Sequence, residues 1–315
     1  MQVGKEHYIP IISFLRAVAS LGVCATHMHF ATGLYHEPLT KFITYGQLGV
    51  AVFFTISGFI IPYSLWTSDY KLKNFSTYIL KRSIRIDPPY LAVILICLML
   101  GYQFDFKKFI LHLFYLIPFS NYDWYQGTFW TLGIEFQFYI FIGLFFPFIK
   151  KGNLYFLIPI LLAFSFTGYF LNLHNGYNFI FRHIHYFVFG IIALLYKKKR
   201  ISVIMTQFLL MTLTIYLCVN VSILTGFIGF IASQFIINFN FQNKITNFLG
   251  KISYSLYLIH PLIGECVIRL LKPFSPNLYL LYFTTLISCI LGASIFYYGI
   301  ERISLKWSKS IPTNP

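Results

Sequence analysis

Ten apolar runs separated by short polar gaps organise the chain, at residues 9–30, 47–66, 86–103, 128–149, 154–171, 179–196, 203–219, 221–237, 253–271 and 278–300. Each approaches the roughly 20 apolar residues that a helix needs to cross a hydrocarbon core. Backbone groups in lipid must be satisfied inside the protein, so runs of this length predict helices. The pattern therefore predicts an all-α, polytopic transmembrane helical bundle with about ten spans. The run at 109–119 is too short to cross and is expected to be re-entrant or interfacial. Arg16 interrupts the first run and no small-residue cleavage site follows it. That run is expected to stay in place rather than act as a cleaved leader. One integral-membrane domain over 1–315, with no attached soluble domain, is the expected organisation.

Composition narrows the class further. Of the 315 residues, 57% are hydrophobic and 10% are charged, against about 25% charged in soluble domains. A soluble enzyme, a disordered chain and a disulfide scaffold are thereby excluded. The net charge of +15 would suit nucleic acid, but the basic residues sit mostly between the apolar runs, so no nucleic-acid partner is expected. With the N-terminus placed inside, 17 of the 24 lysines and arginines fall in inner gaps and 5 on the outer side, Arg269 among them at the outer end of its run. Arg16 and Arg182 lie within runs. This asymmetry predicts that both termini are cytoplasmic and that the chain is a multi-pass protein of the cell membrane, in contact with its lipid. The five cysteines form no CxxC pair and all lie within apolar runs, so neither a disulfide nor a metal site is expected.

Polar groups inside the runs are the candidate chemistry, because a charge in hydrocarbon costs at least about 2.5–3.5 kcal/mol. Arg16 and His27 are eleven positions apart in the first run. Three helical turns put them on one face, roughly 16 Å apart along the axis. They line one pathway, or they are unrelated, with Arg16 paired to a loop carboxylate and His27 snorkelling outward. Arg82 and Arg85 share a helical face at the inner boundary, where two guanidiniums suit phosphates and also suit simple orientation anchors. Asp87-Pro88-Pro89-Tyr90 should kink or restart the helix there. Glu135 lies at a depth similar to that of His27, where a carboxylate would orient an imidazole as a general base. It could instead balance Arg182. Arg182, His183 and His185 form either an entrance for a polar substrate or an interfacial belt. The aromatic residues Trp124, Tyr125, Trp130 and Tyr139 suit sugar stacking or an aromatic belt. His260 reads as a helix-packing hydrogen bond, Glu301 with Arg302 as structural, and Gly49, Ser57 and Gly58 as close-packing positions.

Read together, these stretches resemble the integral-membrane acyltransferase 3 family over nearly the whole chain. Arg16 and His27 meet its first-span pattern, GVAVFFTISGF at 49–59 its second-span signature, and Arg82 and Arg85 its RxxR motif, followed by RIDPPY. TLGIEFQFY at 131–139 and SYSLYLIH at 253–260 match two later patterns. Thr131 stands where a serine is usual, and Ala51 where many members carry Asp. The resemblance implies transfer of an acyl group, most often acetyl, from cytoplasmic acyl-CoA to a sugar hydroxyl. The acceptor would be a cell-surface or lipid-linked glycan. Arg82 and Arg85 would hold the CoA phosphates and Arg16 would mark the path of the pantetheine arm. His27, assisted by Glu135, would act as base or as transient acyl carrier, with no tightly bound cofactor and no metal. Another class stays open: a transporter or flippase of a polar or acylated molecule, with the same residues lining its route.

Overall fold

Each apolar run coincides with a helix in the computed structural model, which describes residues 9–170, 179–274 and 277–312. In order, the helices are α1 (Pro10–Thr32), α2 (Gly49–Thr67), α3 (Phe75–Met99), α4 (Phe106–Leu113), α5 (Trp130–Lys151), α6 (Leu154–Phe170) and α7 (Ile184–Lys197). There follow α8 (Val203–Asn220), α9 (Ile223–Asn238), α10 (Lys244–Lys251), α11 (Ser253–Leu271), α12 (Leu278–Phe296) and α13 (Arg302–Ser310). A π-helical turn, Tyr297–Glu301, joins α12 to α13. No strand occurs among the described residues. The chain is an all-α, multi-pass membrane protein.

Among the described residues, six helical stretches are long and apolar enough to cross a membrane: Pro10–Thr32, Thr40–Thr67, Trp130–Lys151, Val203–Asn220, Ser253–Leu271 and Leu278–Ser310. Leu154–Phe166, Ile184–Lys197 and Ile223–Asn238 are shorter apolar helices. The run expected at 86–103 is the C-terminal part of α3, whose first half carries Lys81, Arg82, Arg85 and Asp87. α4, which overlaps the start of the short run at 109–119, has eight residues and so cannot cross. α7 was expected to span, yet its 14 residues would reach only roughly 21 Å. Eleven of them are buried, so α7 is a core helix wrapped by the others. The opposite case is α12, where Leu280, Phe283, Ile287, Leu291, Ile295 and Tyr298 make an exposed apolar stripe at helical spacing. Such a stripe suits lipid contact.

α2 and α7 form the most extensive helix pair, followed by α11 and α12. The first depends on glycine from both sides. Gly58 lies against the Phe187 backbone, and Gly190 against the backbone of Thr55, Gly58 and Phe59. Small residues let two helices approach closely where no hydrophobic force drives them together. Gly49 makes a similar approach to the Ala19 backbone, joining α1 to α2. Thr26 adds a hydrogen bond from its hydroxyl to the Ile43 carbonyl, 2.7 Å, at the other end of α1.

Contacts at the two ends of the bundle group the loops as the charge count does. At the basic end Lys150 pairs with Asp69 at 2.7 Å. Arg200 donates to the carbonyls of Lys150 and Gly152, and Ser308 donates to Lys81 O at 2.8 Å. The Lys150 ammonium holds the exposed Asp69 carboxyl below its ordinary range. At the far end Gln126 donates to the Tyr102 hydroxyl, which faces Glu265. Lys5 and both chain termini lie outside the described residues.

α3 runs continuously from Phe75 to Met99 through Pro88 and Pro89, so the helix does not restart there. Each proline removes the amide donor for the carbonyl four residues earlier, here Ile84 and Arg85. The Ser304 hydroxyl of α13 lies 2.7 Å from each of these carbonyls. The Tyr254 hydroxyl adds a donor to Ile86 O at 2.8 Å. The single Ser304 proton, shared between the two carbonyls, thus stands in for the missing intrahelical donors.

Candidate active site

Three arginines from two helices converge on one cavity. Arg16 of α1 and Arg82 and Arg85 of α3 line a space of about 550 Å³, together with Glu135 of α5 and Glu301 of the π-helical turn. Lys251 and Lys309 also line it, so five cationic side chains face two carboxylates. Such a surplus inside low-dielectric walls concentrates anions. Phe53, Phe54, Ile60 and Ile61 of α2 supply an apolar wall.

Arg82, Glu135 and Glu301 are each held by neighbouring side chains. The Arg82 Nη2 donates to Ser64 Oγ at 2.6 Å, and its guanidinium lies 5.6 Å from the ring centres of both Tyr78 and Tyr139. Glu135 Oε1 accepts from Ser57 Oγ at 3.0 Å and from Tyr139 OH at 2.9 Å. Glu301 Oε2 accepts from the backbone N–H and the hydroxyl of Ser255. Ser57 therefore does more than permit close packing. Glu301, expected to be purely structural, stands in the cavity wall. Lys251 and Lys309 were missed as site residues, because alone at a span boundary each resembles an orientation anchor.

His27 stands elsewhere. It is exposed and lines a second, smaller cavity of about 250 Å³ with Met28, Ala31, Pro261, Glu265, Ile268 and Arg269. It pairs with His260 rather than with Glu135. The His27 Nδ1 lies 2.6 Å from Nε2 of His260, and the rings stack with centroids 4.9 Å apart and planes 10° apart. His260 is fully buried, and its Nδ1 is 2.9 Å from Leu256 O. The residues expected along one corridor are thus divided between two cavities. Between them stands Tyr257, which lines the larger cavity with its ring edge-on to His260 at 6.1 Å. Thr131 donates to the Tyr257 hydroxyl at 2.8 Å, and that hydroxyl donates to Thr128 O at 3.3 Å.

Arg182, His183 and His185 are not among the lining residues of either cavity. His183 is buried beside Trp130 and Phe54, with ring centroids 5.2 Å and 5.6 Å away. His185 is buried with its ring tilted at 52° to that of Tyr186, while Arg182 is exposed. The aromatic candidates also serve inside the fold: Tyr125 stacks on His112 at 4.6 Å, Trp124 lies edge-on to His112, and Tyr139 binds Glu135. Cys24, Cys97 and Cys289 are buried and all five cysteines are free.

Residues 9–299 match the acyltransferase 3 family, described as an acyltransferase domain. The chain belongs to that family. A curated relative from Staphylococcus aureus (strain COL), named "Putative O-acetyltransferase", is 33% identical over 168 residues. That match covers 44% of this chain and 24% of the relative, so the chain spans about a quarter of the relative's length. No solved structure matches. The family match takes in both cavities and every guanidinium, carboxylate and imidazole that lines them except Glu301 and Lys309, which follow its last residue.

Proposed function

We propose that the chain transfers an acyl group, acetyl in the first instance, from cytoplasmic acyl-CoA to a hydroxyl of a cell-surface or lipid-linked glycan. Its place is then the cytoplasmic membrane. Family membership supports acyl transfer, and one structural observation supports the donor: Arg16, Arg82 and Arg85 open onto a single cationic cavity at the basic end of the bundle. Guanidiniums bind phosphate oxygens bidentately, and a CoA nucleotide carries several. In this reading Arg82 and Arg85, with Lys251 and Lys309, hold the phosphates. Arg16, three turns below His27 on α1, leads the pantetheine arm toward α11. The roughly 16 Å of helix between Arg16 and His27 is of the order of that arm's reach.

The acceptor enters by the smaller cavity, where Glu265 and Arg269, paired at 2.6 Å, offer hydrogen-bonding groups suited to sugar hydroxyls. His27 takes the hydroxyl proton as the oxygen attacks the thioester carbonyl. The carbon–sulfur bond then breaks, CoA leaves as thiolate, and the imidazolium returns its proton to that sulfur. Passage of the thioester requires the Tyr257 side chain to yield at the boundary between the cavities.

The test is transfer of label from acetyl-CoA to an isolated envelope glycan by the purified protein. Wild type should label the glycan, and His27→Ala should lower the rate by at least about 100-fold, the lower range for loss of a general base. Label that stays on CoA with every glycan supplied, while a polar solute crosses proteoliposomes bearing the protein, would overturn the reading in favour of transport.

A further inference from the structure

The hydrogen bonds around His260 dictate which nitrogen of His27 is available for chemistry. A backbone carbonyl can only accept, so the 2.9 Å contact between His260 Nδ1 and Leu256 O requires the proton to be on Nδ1. His260 is fully buried, and its two ring nitrogens face the His27 imidazole and the Leu256 carbonyl. A charged ring there would have no carboxylate to compensate it, so the neutral form is favoured. A neutral ring protonated at Nδ1 has a bare Nε2. That atom lies 2.6 Å from His27 Nδ1, so His27 must donate there. His27 is then protonated at Nδ1, and its Nε2 carries the lone pair.

We propose that His260 is a positioning residue that locks His27 in the Nδ1–H tautomer and holds its Nε2 as the base. The role rests on the acyl-transfer reading above; the tautomer does not. The arrangement has the logic of a carboxylate–histidine pair, with a buried imidazole and a main-chain carbonyl in place of the carboxylate.

Leu256 lies one turn before His260 on α11, so helix geometry places its carbonyl beneath the imidazole. The ring pair is also clamped from two sides. Gly264 lets α11 settle against the Met28 sulfur, where a Cβ would collide. From α12, Cys289 Sγ lies 3.9 Å from Met28 Sδ and 3.5 Å from His260 O. The proton route balances without an outside reagent. The acceptor O–H bond breaks to His27 Nε2 as the C–O bond forms, the C–S bond breaks to thiolate, and the same proton then passes to sulfur. His260 keeps its proton throughout.

The experiment is ¹⁵N spectroscopy of the full-length chain, labelled at histidine and held in lipid nanodiscs, with the His27 signals assigned by their loss in His27→Ala. The expected pattern is a protonated Nδ1 and an unprotonated Nε2 on His27. An unprotonated Nδ1 in wild type overturns the proposal. In kinetics, His260→Ala should lower kcat at least about tenfold with the donor KM unchanged. His260→Gln, whose amide oxygen can accept at the position of Nε2, should recover much of the loss. Wild-type kcat in folded His260→Ala also overturns the proposal. If His260→Ala does not fold, the wild-type spectrum and the Gln variant decide alone. The expected tautomer in a protein that transfers no acyl group would overturn the acyl-transfer reading and leave the tautomer assignment standing.

Discussion

Pro88 and Pro89 strip two amide donors from α3 beside Arg85, and one hydroxyl makes good the loss. Ser304 is 1% exposed, and its Oγ serves the Ile84 and Arg85 carbonyls together. A buried acceptor left without a donor costs about 1–3 kcal/mol. Ser304→Ala should therefore lower the thermal unfolding midpoint in detergent by several degrees. An unchanged midpoint would mean that water or a backbone shift serves those carbonyls instead. The residue scale also shows where reading by spacing stops. Arg16, Arg82 and Arg85 could be singled out because a charge inside an apolar run needs a reason. Glu135 could be singled out likewise, but its partner could not be assigned. Depth along a helix says nothing about which neighbour the helix faces, and Glu135 turns to Ser57 and Tyr139. The bond between His27 and His260 joins positions 233 residues apart, and no local pattern signals it. Ser304 gave no sign at all, although the paired prolines did announce two carbonyls in want of donors.

At the scale of elements, the bundle is held where glycines remove side chains rather than where large residues interlock. A Cβ on Gly190 would meet Thr55 O, Phe59 N and the Gly58 carbonyl carbon, all main-chain atoms of α2. Backbone cannot step aside as a flexible side chain can. Gly190→Ala should push α2 from α7 at a cost of about 1–3 kcal/mol, read as a lower unfolding midpoint. The same substitution at Gly127, where nothing lies within 4 Å of the added carbon, is the matched control. A Gly190→Ala protein as stable as the control would show that the pair does not depend on this approach. Hydropathy found the helices because lipid and core demand the same apolar residues. For that reason it could not separate them: α7 reads as a span and is a core helix, while α12 reads the same and keeps an exposed apolar face. The charged first half of α3 falls outside the apolar runs because its arginines face a cavity rather than lipid, and hydropathy averages over all faces.

At the scale of the molecule, the account rests on two cavities that share the walls α1 and α11. Ser13, Arg16, Ser253, Tyr254 and Tyr257 face the larger, while His27, Ala31, Pro261 and Glu265 face the smaller. Donor binding and chemistry are thereby separated along the same two helices, so variants at the two ends should fail differently. Calorimetric titration of CoA into the detergent-solubilised protein makes the distinction directly. The account predicts that Arg82→Gln with Arg85→Gln weakens CoA binding at least about tenfold, since a hydrogen bond to a charged group contributes about 1.5–3 kcal/mol. His27→Ala should bind CoA as wild type does. Equal affinity in wild type and the double variant, with both proteins folded, would contradict the assignment of the cationic cavity to the donor.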